Sequence, residues 1–309
     1  MEFVDNIFPT LSGYLNEKKR ICIATLINVD GSSPRPVGSQ IGVCEDGRYV
    51  GMITGGCAEK VIVAEAVAAI KAQENKTLRY GAGSPFIDVV LPCGSGIDVH
   101  FNASSANEIA TAILAAGRQR ETLWMTINKL SNDASITGEI SALDESDFFY
   151  KAIEPDYRIL SFGEGANLVS FCLLSKIAGF LPAPCSPDED ALAFLRARGV
   201  DGMQIHAGAD FSEIPVDRLT AIVTLFHEHD WEIPILHRAL NSEACYIGAL
   251  GSQRTHAARL QELSDLAKTK RNVSEIHAPV GLDIGAQNPN EIAIAILSEI
   301  ILHRRRRQP

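Results

Sequence analysis

Arg158 to Ala178 reads RILSFGEGANLVSFCLLSKIA, and this stretch decides the fold. Arg158 to Phe162 is an apolar run of strand length. Glycines at 163 and 165 interrupt it, and from Gly165 to Ala178 apolar residues recur at helical spacing. A strand, a glycine turn and a helix in that order open a βαβ unit.

The alternation continues outward from there. Gly179 to Pro182 reads as the next strand and Asp188 to Arg198 as the next helix. Thr220 to Leu225 is a strand, Ile233 to Ser242 a helix, Ala244 to Leu250 a strand and Thr255 to Leu266 a helix. Asn288 to His303 is a long last helix, with Asn288 as N-cap, Pro289 at the first helical position and Glu291 three residues after the cap. The second half is therefore expected to be a Rossmann-like, doubly wound parallel sheet. Upstream the period differs. Arg20 to Val29 is a β-branched strand, and Gln40 to Glu45 and Arg48 to Ile53 flank the turn Asp46-Gly47. Asp88 to Leu91 and Ile97 to Phe101 read as two further strands. Val4 to Lys18, Ala58 to Gln73 and Asn107 to Ala116 read as helices, Thr122 to Asn128 as a strand, and Ser131 to Asp147 as a hairpin or loose connection. The first half is a mixed α+β domain. The boundary is expected in the polar stretch between Phe149 and Tyr157, dividing the chain into domains 1–150 and 151–309.

With 309 residues, 46% hydrophobic and 21% charged, each half can bury a core of its own. The net charge is −10, and without the run Arg304 to Arg307 the body carries 24 cations against 38 acids, a net −14. Such a body argues against nucleic acid as the main partner. No apolar stretch reaches the ~18 residues that span a bilayer, and the N-terminus does not read as a signal peptide. A cytoplasmic setting follows, in which the seven cysteines, none in a CxxC pair, are free thiols.

Several segments pair chemistry with turn residues. Gly31 to Gly38 (GSSPRPVG) holds Arg35 between two prolines, where a stiff loop offers a guanidinium to phosphate or carboxylate; a plain surface turn is the alternative. Thr54 to Glu59 (TGGCAE) places Cys57 at a strand-to-helix turn, where free N–H groups and the helix dipole favour thiolate; a small buried residue is the alternative. Leu91 to Gly96 (LPCGSG) places Cys93 in a second glycine turn. The loop Gly163-Glu164-Gly165 has the context of a dinucleotide-binding turn. However, Leu168 fills the third small position and Glu164 intrudes. The ribose-binding acid expected ~20 residues on is missing, with Asp188 late, so tight NAD or NADP binding is not expected. His227-Glu228-His229 follows a strand end, suiting metal ligation, hydrogen bonding or capping. Tyr246 to Arg254 (YIGALGSQR) brings Gly251, Ser252 and Arg254 to a second strand-to-helix turn that suits an anion. Pro279 to Ala286 is a loop with Asp283 between glycines.

Together the segments GSSPRPVGS, TGGCAEK, GSPFIDVVLPCGSGIDV, GEG, FHEHDWEIPIL, YIGALGSQRT and APVGLDIGAQNPNEIAIAILSEI resemble one family. It is the xanthine dehydrogenase accessory factors of XdhC/CoxI type, which help to mature molybdenum hydroxylases. The resemblance implies an accessory domain followed by a Rossmann-like domain. It implies binding of molybdenum cofactor (molybdopterin) and delivery to an apo molybdenum hydroxylase such as xanthine dehydrogenase, often with a cysteine desulfurase that installs the terminal sulfido ligand. It also implies a homodimeric chaperone rather than an enzyme. Carried over by motif, Cys57 and Cys93 contact the metal end, Gly163, Gly165, Gly251, Ser252 and Arg254 the phosphate end, and His227 falls on a family histidine without an assigned role. The other reading is an NAD(P)-linked oxidoreductase using the second domain.

Overall fold

A computed structural model describes residues 6–84, 94–140, 146–206, 214–226, 229–266 and 269–307. The chain divides into two compact units, residues 1–155 and 156–309.

In the first unit, α1 (Phe8–Asn16) leads into a five-stranded antiparallel sheet of order β3-β2-β1-β5-β4. Its strands are β1 (Ile21–Asp30), β2 (Gln40–Cys44), β3 (Tyr49–Gly51), β4 (Lys76–Gly81) and β5 (Gly96–Asn102). The apolar run read from the sequence is the central strand, because both of its faces are covered. Cys22, Ala24 and Leu26 pack with Ile62, Ala66 and Ile70 of α2 (Glu59–Ala72). Ile21 and Ile23 pack on the other side with α1, with α3 (Ala106–Gln119) and with Met125 and Ile127. The last two belong to a second sheet of order β7-β6-β8, made of β6 (Leu123–Asn128), β7 (Ala134–Thr137) and β8 (Phe148–Ile153). Of the stretch Ser131 to Asp147, read as a hairpin or a loose connection, the described residues hold one strand, β7, which pairs with β6; β8 runs through the stretch in which the boundary was expected. The strand expected over Asp88 to Leu91 lies outside the described residues.

The second unit carries a five-stranded parallel sheet of order β11-β10-β9-β12-β13. Its elements are β9 (Arg158–Gly163), α4 (Gly165–Ile177), β10 (Leu181–Ser186), α5 (Glu189–Arg196), β11 (Met203–Gln204), β12 (Thr220–Leu225), α6 (His229–Leu240), β13 (Tyr246–Ala249), α7 (Gln253–Asp265) and α8 (Pro289–Arg307). Counted within the unit the strand order is 3-2-1-4-5, the doubly wound Rossmann arrangement with its switch point between β9 and β12. Alternate strand residues feed two cores. Ile159, Ala221 and Val223 meet Leu168 and Phe171 of α4 and Ile296 and Ile300 of α8. Leu160 and Ile222 meet Ile233, Leu236 and Leu240 of α6 and Leu263 of α7. The expected Asn288 cap forms, its Oδ1 accepting from the Asn290 and Glu291 N–H groups at 3.1 Å.

One strand sits later than the sequence suggests. Pro182 reads as the end of the strand, yet it and Pro184 both lie inside β10. Leu181 N–H donates to Tyr157 O on the β9 side, so the missing N–H groups at 182 and 184 face the other side. There β11 pairs only with Cys185 and Ser186, so no ladder bond is lost. Among the described residues no helix is long and apolar enough to cross a membrane.

At the start of β13, Glu299 of α8 gathers three partners. Tyr246 Oη donates to its Oε2 at 2.6 Å, Gly281 N–H to the same oxygen at 2.7 Å, and His277 Nδ1 faces its Oε1 at 3.1 Å. Burial alone would raise this carboxyl, but the bonds from His277, Tyr246 and Gly281 outweigh it and hold it at about 2. A carboxyl depressed in the folded state stabilises above its unfolded value and loses that contribution as pH falls. The stability gap between wild type and Glu299→Gln is therefore flat above pH ~5 and closes between pH ~4.5 and ~2. Chemical unfolding at stepped pH measures it; a gap independent of pH would refute the assignment.

Candidate functional site

At one end of the first unit's sheet, three connections carry the sequence motifs. Residues 31–39 join β1 to β2, residues 52–58 join β3 to α2, and residues 82–95 join β4 to β5. The bases of the first and the third are tied by Arg79 of β4. It bonds Asp98 at 3.0 and 3.1 Å, Ala82 O at 2.9 Å and the Asp30 carboxylate. A Cβ on Gly31, where φ is +96°, would lie 3.3 Å from Ser95 Cβ. A Cβ on Gly55, where φ is +76°, would lie 3.5 Å from Pro34 Cβ and Cγ. The 31–39 connection therefore touches both of the others, and glycine is used where the chains come closest. Arg35 is half-buried beside Pro34, and Lys151 of β8 donates to Gly38 O at 2.6 Å. Cys93 lies outside the described residues.

Cys57 is exposed, while the other described cysteines, Cys22, Cys44, Cys172, Cys185 and Cys245, are buried. The expectation that free helix-start N–H groups flank its sulfur needs correction. Gly56 N–H donates to Glu59 Oε2 at 2.7 Å, and Ala58 N–H to Thr54 Oγ1 at 2.9 Å. The donors on either side of Cys57 are thus taken by side chains of its own loop. Among the described residues no group of three or more His, Cys, Asp or Glu is placed to hold a metal ion.

In the second unit the candidate residues lie at the carboxyl ends of the strands, where open α/β sheets receive ligands. Gly163 ends β9 at the switch point, and a Cβ there would lie 2.8 Å from Leu225 Cβ of β12. Gly165 opens α4 with φ +62° and open space around it. Glu164 is the exposed N-cap residue and its side chain makes no cap bond. Because β10 ends at Ser186, Asp188 stands two residues beyond the strand, against the glycine turn. Its Oδ2 accepts from Gly165 N–H at 3.2 Å and its Oδ1 from Ala191 N–H at 2.9 Å. An acid after the second strand is therefore present, contrary to the sequence reading, which set that strand too early. Leu168 packs in the core with Ile296 and Ile300 of α8.

Ser252 is the N-cap of α7, accepting from Thr255 N–H at 3.2 Å; Arg254 on the first turn is exposed. Gly251 has φ +140°, and a Cβ there would lie 2.9 Å from Thr255 Cγ2. Beneath this turn, Arg259 of α7 donates through Nη2 to Glu232 Oε2 of α6 at 2.6 Å and to Leu250 O at 2.8 Å. Thr224 Oγ1 donates to Glu232 Oε1 at 3.0 Å. This buried pair links the helix of the FHEHDWE segment to that of the GSQRT segment. His227 lies outside the described residues.

Glu59, Asp188, Glu232 and Arg259 were not among the candidates from sequence. A signal existed for Arg259 and Glu232, since each occupies a buried register on its helix beside Leu263 and Ile233. Two opposite charges in buried registers of one domain require each other.

Known proteins are similar to this chain in sequence and in fold. Residues 14–81 match the XdhC and CoxI family, and residues 159–300 match the XdhC Rossmann domain. The molybdenum cofactor insertion chaperone PaoD of Escherichia coli K12 is 29% identical over 283 residues, which are 91% of this chain and 83% of PaoD. A Bacillus subtilis 168 protein named as a probable xanthine dehydrogenase subunit is 26% identical, covering 97% of this chain and 98% of that one. A crystal structure described as a xanthine dehydrogenase from Bacillus halodurans superposes with a TM-score of 0.80 at 22% identity. The match covers 97% of this chain and 96% of that one, and it shows a common fold. With its accessory segment followed by its Rossmann domain, the chain belongs to the XdhC and CoxI family.

Proposed function

We propose that this protein takes part in maturing a molybdenum hydroxylase, binding molybdenum cofactor as cargo and passing it to the apo-enzyme. The observation that carries the reading is the meeting of three connections at one sheet end, with Pro34 against Gly55 and Gly31 against Ser95. There the Arg35 loop adjoins the one exposed thiol among the described cysteines. A molybdopterin offers a phosphate, which guanidinium and backbone N–H groups suit, and a metal with soft ligands, which thiolate suits. Cys57 and Cys93 are assigned to the metal end. Gly163, Gly165, Gly251, Ser252 and Arg254 are assigned to the phosphate end, and Arg35 and His227 to the cofactor with no portion specified. A xanthine dehydrogenase-like client, a cysteine desulfurase as co-partner, a homodimer and a cytoplasmic setting complete the proposal. The similarity to PaoD and to the Bacillus subtilis protein supports the cofactor and the client class.

The test is anaerobic binding of cofactor extracted from a molybdenum hydroxylase, with wild type and Cys57→Ala compared. Wild type is expected to retain it, and Cys57→Ala to bind at least ~10-fold more weakly, the ~1.4 kcal/mol of one good contact. Equal retention by both, or none by wild type, would overturn the reading. The second reading, an NAD(P)-linked oxidoreductase, gains support from Asp188 beside Gly165, the place of a ribose-binding acid. Calorimetry with NAD, NADH, NADP and NADPH tests it; no heat at millimolar ligand sinks it.

A further inference from the structure

The turn that presents Cys57 is folded around one carboxylate. Glu59 is 2% exposed, at the first position of α2. Its Oε1 accepts from Ile53 N–H at 3.1 Å and Thr54 N–H at 2.7 Å. Its Oε2 accepts from Thr54 Oγ1–H at 2.6 Å and Gly56 N–H at 2.7 Å. The Thr54 hydroxyl then accepts from Ala58 N–H at 2.9 Å. Four donors converge on two oxygens, which only an ionised carboxylate can satisfy. Burial would raise this carboxyl, but the Thr54 hydroxyl and the surrounding N–H groups outweigh it and lower it. Both neighbours of Cys57 are fixed by the network while the thiol stays exposed. Gly55, in the same turn, rests on Pro34 beside Arg35.

We infer that Glu59 is a positioning residue: it holds the Cys57 turn in one conformation and registers that turn on the Arg35 loop. This rests on the cofactor reading of Cys57. The geometry explains why an acid is needed rather than an amide. A glutamine offers one acceptor and one NH2 group, so two of the four donors would face another donor.

The experiment compares Glu59→Gln, Thr54→Val and Thr54→Ser in the full chain. Amide exchange at Gly56 and Ala58 and the rate at which iodoacetamide alkylates Cys57 are the readouts. Glu59→Gln is expected to speed exchange at Gly56 and Ala58 by ~10–100-fold, the loss of one or two charge-assisted bonds. Ala66 and Ala69 inside α2 should be unmoved, and alkylation should change by at least ~3-fold. Thr54→Val should show the same pattern at smaller size, and Thr54→Ser, which keeps the hydroxyl, should match wild type. If Glu59→Gln does not fold, the two Thr54 variants decide. Exchange at Gly56 and Ala58 as in wild type, or equal loosening throughout α2, would overturn the inference. Extracted cofactor added to the same variants keeps the two ideas separable. If wild type binds none, the functional reading fails, while the role of Glu59 is still judged by exchange.

Discussion

Arg259→Leu lowers the stability of the second unit by about 3–5 kcal/mol and its unfolding temperature by ~10–15 °C. The guanidinium is 1% exposed, and its partner Glu232 is 2% exposed. Removing the cation takes the counter-charge at 2.6 Å away from a buried carboxylate, and with it the donor to Leu250 O. The penalty is that of a buried charge without its counter-charge, larger than the net worth of the pair itself. Pairing Arg259→Leu with Glu232→Met removes both charges and should recover more than half of the loss. The pair is also imperfectly satisfied, because Arg259 Nε and Nη1 are buried without a hydrogen-bond partner. Thermal unfolding of single and double variants measures the cycle. A double variant as unstable as Arg259→Leu would show that packing, and not charge, dominates.

Gly51→Ala destabilises the first unit by about 2–4 kcal/mol, and Gly47→Ala by only about 1 kcal/mol. Both glycines have φ +87°, so backbone strain is common to the two. They differ in space. A Cβ on Gly47 meets nothing within 4 Å, whereas one on Gly51 would lie 2.4 Å from Gln40 O and 2.7 Å from Ile7 Cγ2. Gln40 O is backbone of the neighbouring strand and cannot rotate away. Relief therefore has to come from moving the end of β3, which leads directly into the Glu59-bound turn at Ile53. Urea unfolding of both variants measures the difference; equal losses would mean that the close approach relaxes at no cost.

The parallel sheet was legible because its strands and helices differ in period, and the central strand β1 because an unbroken apolar run requires cover on both faces. The misplaced β10 shows the limit. Proline reads as a strand breaker, and whether its missing N–H matters depends on which neighbour that side faces. Edge strand β4, with Lys76, Thr77 and Arg79, buries too little apolar surface to show a period. The glycine and proline turns were legible as turns. Their meeting, Pro34 on Gly55 and Gly31 on Ser95, was not, because it is set by strand order rather than spacing. Glu59, Asp188 and Arg259 were missed for a related reason: an acid or base at a helix start or on a helix face reads as solvated until its donors or its counter-charge are located.

The distribution of thiols has a consequence for oxidative chemistry. Burial raises Cys172 and Cys185 to about 12 and pushes the Cys22 thiol up as well, so these are poor nucleophiles towards peroxide. Among the described cysteines an oxidant meets Cys57 first. Its first product there is a sulfenic acid, which a second thiol can return through a disulfide, whereas sulfinic acid formation is irreversible to ordinary thiols. The exposed Cys57 turn is thus also the most air-sensitive point among the described thiols. A bound cargo at Cys57 would shield that sulfur, so occupancy and resistance to peroxide should rise together.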